Sequence, residues 1–387
     1  MKKTNFMLHV VALAIAVIFS AGINKFLEKY NFAYINIYSK EKNTYEDIGK
    51  ISDFQYLYDL SDKKRSYLKL EKALLSGKIT IFGSSELASS LGNNPHIFFN
   101  KELGIPVNAI GGGGHQSLIM LAELSSLYNE ILLNNARLVF LISPGWFNTE
   151  GTNIKRFTDY INAELFYRLY YQSSAPKEFK NYIISNINRR YDTIMDITPL
   201  SMAYSFKKNI GSINLAYFFK YLKKNHDIET HDYSVYEGKK IDWEKILENA
   251  KIAEINKYTN NDYYIYDDYF TKYMKYERLP KHVRRLPLFN QEYDDFEMLI
   301  NLLKNFKNRP LFVLWPIHPT AHAKLNRYDE VLNKIRKKLK QENFELLDLW
   351  MNEGEIEIGV LTDLMHPGEY GWAKVNKEIY KRFIHNN

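Results

Sequence analysis

Three short stretches of this chain hold side chains that acyl-transfer chemistry uses. Phe82-Gly83-Ser84-Ser85-Glu86-Leu87 places two serines directly after an apolar run and beside a glycine. A serine on such a tight turn can point its hydroxyl out at the end of a sheet, while backbone N–H groups of the following helix face the same space. The same residues also read as a serine N-cap closing with a nearby acid. Asn108 to Ser117 contains four successive glycines, Gly111 to Gly114. They let the backbone approach another atom closely and turn its N–H groups toward it, which suits an oxyanion or phosphate cradle. A flexible strand-to-helix turn explains them equally well. A nucleotide loop is excluded, because no Gly-Lys-Ser/Thr ending follows and no acid stands at the ribose position. His115 reads as a loop residue rather than a base. Asp363 and His366, beside Pro367-Gly368, can converge on one point from a turn entering the last helix. That is the pairing a serine needs: the imidazole takes the serine proton, and the carboxylate orients the imidazole or stabilises its charge. A divalent-metal site would need further donors, of which Asp348 and His318 are the obvious ones, and neither a metal nor a cofactor is expected.

Residues so far apart in the chain need a scaffold that brings loops together. Short apolar runs that end in small polar loops recur: Lys78-ITIF-Gly83, Pro106-VNAI-Gly111, Arg137-LVFLI-Ser143, Pro310-LFVLW-Pro316 and Phe344-ELLDLW. Helical stretches separate them. Continuous apolar strands alternating with helices predict a parallel sheet of about five strands, covered on both faces. Ligands of such sheets sit beyond the carboxyl ends of the strands, where the three stretches lie. Residues 25–75 read as a helical lead-in, closing with SYLKLEKALLSG at Gly77. Residues 76–154 and 306–387 form the core. Residues 155–305, rich in Tyr, Lys and Asn, read as a mainly helical insertion over part of the strand-end face.

Composition narrows the function classes. Lys plus Arg is 52 and Asp plus Glu is 45, a net charge of +7. The charges are spread along the chain and no long Lys/Arg block is present, so a dedicated nucleic-acid binder is not expected. Cysteine is absent, which excludes a disulfide framework, a thiolate metal site and a cysteine nucleophile. Met7 to Ile23 contains no Asp, Glu, Lys or Arg. As a helix it would span roughly 25 Å, near the lower limit for a bilayer core of about 30 Å. Lys2 and Lys3 precede it, so the positive-inside rule puts the N-terminus in the cytoplasm and everything after Asn24 outside. A cleaved signal peptide ending near Ser20-Ala-Gly22 is the competing reading. Residues 1–24 are taken as the anchor of a single-pass protein of the cell membrane with an extracytoplasmic catalytic domain.

A serine loop after the first strand, a glycine loop after the second and a D-x-x-H near the C-terminus follow one another in the order of an SGNH-type hydrolase. More narrowly, FGSSEL at 82–87, GGGGHQSL at 111–118, ISPGWF at 142–147 and DLMHPGEYGW at 363–372 resemble the DltD family, membrane-anchored proteins of teichoic acid D-alanylation. The resemblance implies an SGNH-hydrolase-like three-layer α/β fold. It implies Ser85 as nucleophile, His366 as base and Asp363 as its orienting partner. Ser84 holds the Asp position of the wider fold's Gly-Asp-Ser block and is the alternative nucleophile. The oxyanion donors implied are the backbone N–H of Ser85 and of Gly112 or Gly113. The chain departs from the wider fold after the third strand, where SPGWF, followed by Asn148, replaces a Gly-x-Asn-Asp block. Gly145 stands where family members often carry Gln. A third oxyanion donor is therefore unassigned.

The activity implied is extracytoplasmic acyl transfer through a D-alanyl seryl ester. The implied partners are a D-alanyl donor, the teichoic acid polymer and a multipass membrane O-acyltransferase. Lys and Arg would pair with polymer phosphates, and aromatic faces would attract the D-alanyl ammonium. Added salt is then expected to weaken polymer binding, and binding indifferent to salt counts against the idea. Two alternatives stay open. One is an exported SGNH-type acyltransferase or esterase acting on another cell-envelope polysaccharide. The other is a non-enzymatic polymer-binding scaffold.

Overall fold

The computed structural model describes residues 67–148, 151–152, 156–157, 160, 165, 168–169, 173–191, 231–259, 261–274, 290–322, 325–352 and 354–385. The expected anchor at 1–24 and the lead-in up to residue 66 lie outside the described residues. Among those described, no helix is long and apolar enough to cross a membrane.

All five expected strands form: β1 (Ile79–Gly83), β2 (Val107–Gly111), β3 (Arg137–Ile142), β4 (Leu311–Leu314) and β5 (Glu345–Asp348). They make one sheet in the order β2-β1-β3-β4-β5, with every pair parallel. The helices used below are α1 (Tyr67–Leu75), α2 (Ser117–Ser126), α3 (Glu130–Asn135), α4 (Lys177–Tyr191), α5 (Trp243–Ile255), α6 (Gln291–Leu303), α7 (Asp329–Gln341) and α8 (Glu369–Tyr380). Helix α1 closes as expected at Gly77, whose φ of 70° is the left-handed turn glycine allows.

Alternate strand residues feed two cores, as a period of two requires. Phe82, Ile110, Leu138, Phe140, Ile142, Phe312 and Leu314 pack with α2, α6 and α7 on one face. Ile79, Ile81, Val107, Ala109, Val139, Leu141, Leu311 and Val313 pack with α8 on the other. The result is a three-layer α/β architecture, consistent with an SGNH-like fold. Helix α2 is apolar nearly all round, and each of its residues is buried, so it is a core helix rather than a surface one. Helix α7 is the opposite case: Val331, Leu332, Ile335 and Leu339 are buried, and lysines occupy its other side. Phe82, Phe140 and Phe312 share one register row, and their rings stack at 5.2 Å from strand to strand.

β2 and β5 are the two edge strands, and only β5 departs from the expected burial on both faces. In β5, Glu345, Leu346 and Leu347 are half-buried and Asp348 is exposed. Its charged ends pair with Arg382 and Arg336, which suits an edge that must not recruit another strand. Within 155–305, the described elements are helical, and they supply both layers. Helix α6 packs on α2, and α5 packs on α8.

Strand order changes direction at β1, whose neighbours are β2 on one side and β3 on the other. In open parallel sheets such a switch point opens a crevice at the carboxyl ends of the strands. The serines follow β1 directly.

Candidate active site

Strand β1 ends at Gly83, and a 3₁₀ turn begins at Ser85. The first N–H groups of such a turn have no partner within it. Ser85 Oγ lies 3.0 Å from His366 Nε2, although the two residues are 281 apart in the chain. His366 Nδ1 is 2.7 Å from Asp363 Oδ2. The other carboxylate oxygen, Oδ1, accepts the backbone N–H groups of Met365 and His366, each at 2.8 Å. An ionised carboxylate only accepts, so Nδ1 carries the ring proton and Nε2 is left as an acceptor facing the serine hydroxyl.

The electrostatics agree with that assignment. Burial, the largest single influence on Asp363, pushes its carboxyl up. The hydrogen bond and charge of His366, with the two backbone N–H groups, together outweigh it and hold the group below the ordinary carboxylate range. His366 is raised above an ordinary histidine, first by its hydrogen bond to Asp363. Burial opposes this, while the charges of Asp363 and Glu86 add to it.

The loop carrying these two residues is pinned at several points. Thr362 N–H donates to His366 O (2.9 Å), and Gly368 N–H donates to Val360 O (2.9 Å). Leu361 and Pro367 form an isolated antiparallel bridge. From the loop after β4, His318 N–H donates to Leu364 O (2.9 Å). The His318 ring is fully engaged: Nε2 donates to Tyr263 O (2.8 Å), and Nδ1 accepts from the N–H groups of Thr320 and Ala321. Asp348 is paired with Arg336 at 2.6 Å. Asp348 and His318 therefore have other partners, and no group of three His, Asp or Glu suited to a metal occurs among the described residues.

The two adjacent serines have different surroundings. Ser84 is buried, and its Oγ donates to Gly112 O and accepts from Gly114 N, each at 3.1 Å. It joins the serine turn to the glycine loop, while Ser85 meets the imidazole. The capping expectation is met in reverse. No serine side chain caps the turn; instead Glu86 Oε1 accepts the backbone N–H of Ser84 at 2.6 Å. Burial pushes the Glu86 carboxyl up, against the pull of backbone N–H groups and the two nearby histidines.

The glycine loop explains itself by space. In the β1–β2 register Gly111 stands opposite Gly83, and a Cβ on Gly111 would lie 2.1 Å from Gly83 O. Gly112 is buried and Gly113 half-buried beside the serine turn. His115 is fully buried, with Nδ1 3.1 Å from Gly83 O and Nε2 2.8 Å from Glu123 Oε2. It braces the carbonyl that precedes the serines. In the loop after β3, Trp146 and Phe147 are buried in the core under the sheet and Gly145 is half-buried.

Sequence reasoning singled out Ser85, His366 and Asp363, and the structure brings their side chains together. It did not single out Glu86, Glu123 or Glu254. Glu86 carried a partial signal, an acid just past a turn serine. Glu123 had one too: it lies eight residues from His115 on the following helix.

A family model described as DltD protein matches residues 57–384. Protein DltD of Bacillus subtilis (strain 168) is 26% identical over 327 residues, covering 78% of this chain and 81% of that protein. Protein DltD of Staphylococcus aureus (strain NCTC 8325 / PS 47) is 24% identical over 324 residues, covering 78% and 80%.

Proposed function

The chain belongs to the DltD family, and on that premise we propose that it serves D-alanylation of teichoic acid as a serine-dependent acyl-transfer protein. The observation that carries this reading is the continuous hydrogen-bonded line from Ser85 Oγ through His366 to Asp363, at 3.0 and 2.7 Å. Three such groups at the end of a parallel sheet are what nucleophilic acyl transfer requires.

In this reading Ser85 Oγ attacks the carbonyl carbon of an activated D-alanyl group, and its proton passes to His366 Nε2. The tetrahedral intermediate collapses, and the leaving atom of the donor takes that proton. An acceptor hydroxyl of the polymer then gives its own proton to His366 and attacks the seryl ester. Ser85 leaves and recovers the proton. Asp363 stabilises the imidazolium in both halves. Backbone N–H groups of Ser85 and of Gly112 or Gly113 would receive the developing oxyanion, the largest single contribution in reactions of this kind. The catalytic domain would work outside the membrane, tethered by Met7 to Ile23, beside a multipass O-acyltransferase that shares the polymer.

Ser85→Ala or His366→Ala is expected to abolish D-alanine esters on the polymer in cells, with the folded protein still present by immunoblot and limited proteolysis. Removing either partner of a working pair usually costs several orders of magnitude in rate. Wild-type ester levels in the Ser85→Ala strain would reject the assignment.

A further inference from the structure

The loop that carries Asp363 and His366 is held from outside its own segment. Near the end of α5 stands Glu254, which is fully buried. Its Oε1 accepts the backbone N–H of Glu369, the first residue of α8, at 2.6 Å. The same oxygen accepts the Tyr266 hydroxyl at 2.9 Å. Tyr266 in turn donates its backbone N–H to Thr362 O (2.8 Å), and its hydroxyl accepts from Lys257 Nζ (3.0 Å). One carboxyl group thus grips both ends of the loop, directly at Glu369 and through Tyr266 at Thr362.

Local chemistry explains why a distant residue is needed. The N-cap of α8 is Gly368, which has no side chain with which to cap the helix. The absence of that side chain also leaves room for the Gly359 carbonyl, which a Cβ would meet at 2.2 Å, and beside it for Glu254. A Cβ on Gly368 would lie 3.1 Å from Glu254 Oε1, and one on Gly359 would lie 2.8 Å from Glu254 Cγ. The second carboxyl oxygen, Oε2, is buried with no hydrogen-bond partner. Leaving that acceptor unpaired costs stability, which the two hydrogen bonds made by Oε1 offset only in part. Burial also pushes the Glu254 carboxyl above its ordinary range.

We propose that Glu254 is a positioning residue: through Glu369 and Tyr266 it sets the loop 362–368 so that the imidazole of His366 meets Ser85 Oγ. It touches neither substrate nor reacting atoms. The inference rests on the reading of Ser85, His366 and Asp363 as the reactive centre.

The test uses the full-length chain, ¹⁵N-labelled at histidine and separately exposed to a serine-directed fluorophosphonate. Glu254→Ala is expected to slow Ser85 labelling about tenfold to a hundredfold, the effect of a misplacement near 1 Å. It should also move the His366 ring titration down toward that of an ordinary histidine, as Asp363 drifts from Nδ1. Glu254→Gln keeps an acceptor for Glu369 N–H and should recover most of the rate. Tyr266→Phe, which removes only the hydroxyl, should fall between. An unchanged labelling rate and His366 titration in Glu254→Ala would overturn the proposal, as would equal losses in the Gln and Ala variants. If Glu254→Ala does not fold, an unchanged His366 titration in Tyr266→Phe overturns it instead. Ser85→Ala separates the two readings: labelling that persists there removes Ser85 as nucleophile, whereas the His366 titration reports on Glu254 without any reaction taking place.

Discussion

At the scale of single residues, the pairing of His366 with Asp363 sets the acid limit of any Ser85 reaction. Only neutral imidazole can take the serine proton. Asp363 raises the pH at which His366 loses its own. Ser85 reactivity should therefore rise with pH through a midpoint above 6.5, the ordinary histidine value. Asp363→Asn removes the stabilising charge, so the midpoint should move down while the maximal rate falls on the order of a thousandfold or more. A pH–rate profile of fluorophosphonate labelling measures both, and a midpoint that stays put in Asp363→Asn would argue against the assigned hydrogen bond. Much of this site was legible because it is local. Asp363 and His366 sit on one turn, and Asp363 also accepts N–H groups from its own loop. The choice between Ser84 and Ser85 was not local, because it depends on whether a hydroxyl meets the glycine loop or a turn near the chain's end. Glu254 was not legible at all, since it acts across 115 residues on a backbone N–H that carries no side-chain signature.

At the scale of elements, the centre depends on how closely β1 and β2 finish. Gly83 and Gly111 are register partners, and only the absence of a side chain lets their backbones meet as they do. Gly111→Ala should push the glycine loop away from Gly83. It would then break the bridge that Ser84 Oγ makes between Gly112 and Gly114. The expected result is loss of Ser85 labelling with a lowered melting temperature, whereas Ala at Gly104, strained by its φ of 65° but with no atom within 4 Å of the Cβ, should lower the melting temperature and still spare labelling. Equal labelling in the Gly111 variant and the parent would show that the approach is not required. The first four strands were readable because each is a largely apolar run bounded by Pro, Gly, Arg or Lys, and a strand buried on both faces needs no alternation. β2 and β5 both lie at edges, yet β2 is fully buried and only β5, with Glu345 and Asp348 at its ends, is partly exposed. Nothing in a five-residue window tells which strand will have a neighbour on one side only.

At the scale of the whole molecule, the 155–305 stretch is woven into the fold. It supplies α6 to one layer and α5 to the other, and the α5 contribution reaches the reactive loop. Its mainly helical character was foreseeable, but the position of α5 and the packing partners were not, because packing partners are set by the sheet. Proton linkage also operates at this scale. Burial pushes His96 down to about 4. The unfolded chain takes up that proton near 6.5, so the folded state loses stability as pH falls from there toward 4. His318, also lowered by burial, adds in the same direction. Melting temperature should drop across this window, and the drop should be shallower in His96→Gln. An identical slope in that variant would exclude His96 as a source.

The imidazole enters the centre from the final turn before α8, long after the hydroxyl has been made. A ribosome completes the nucleophile early and the base near the end. Any product of premature termination or of clipping ahead of residue 366 carries a serine with nothing to activate it. Such fragments would be chemically silent, so reactivity doubles as a readout of an intact polypeptide.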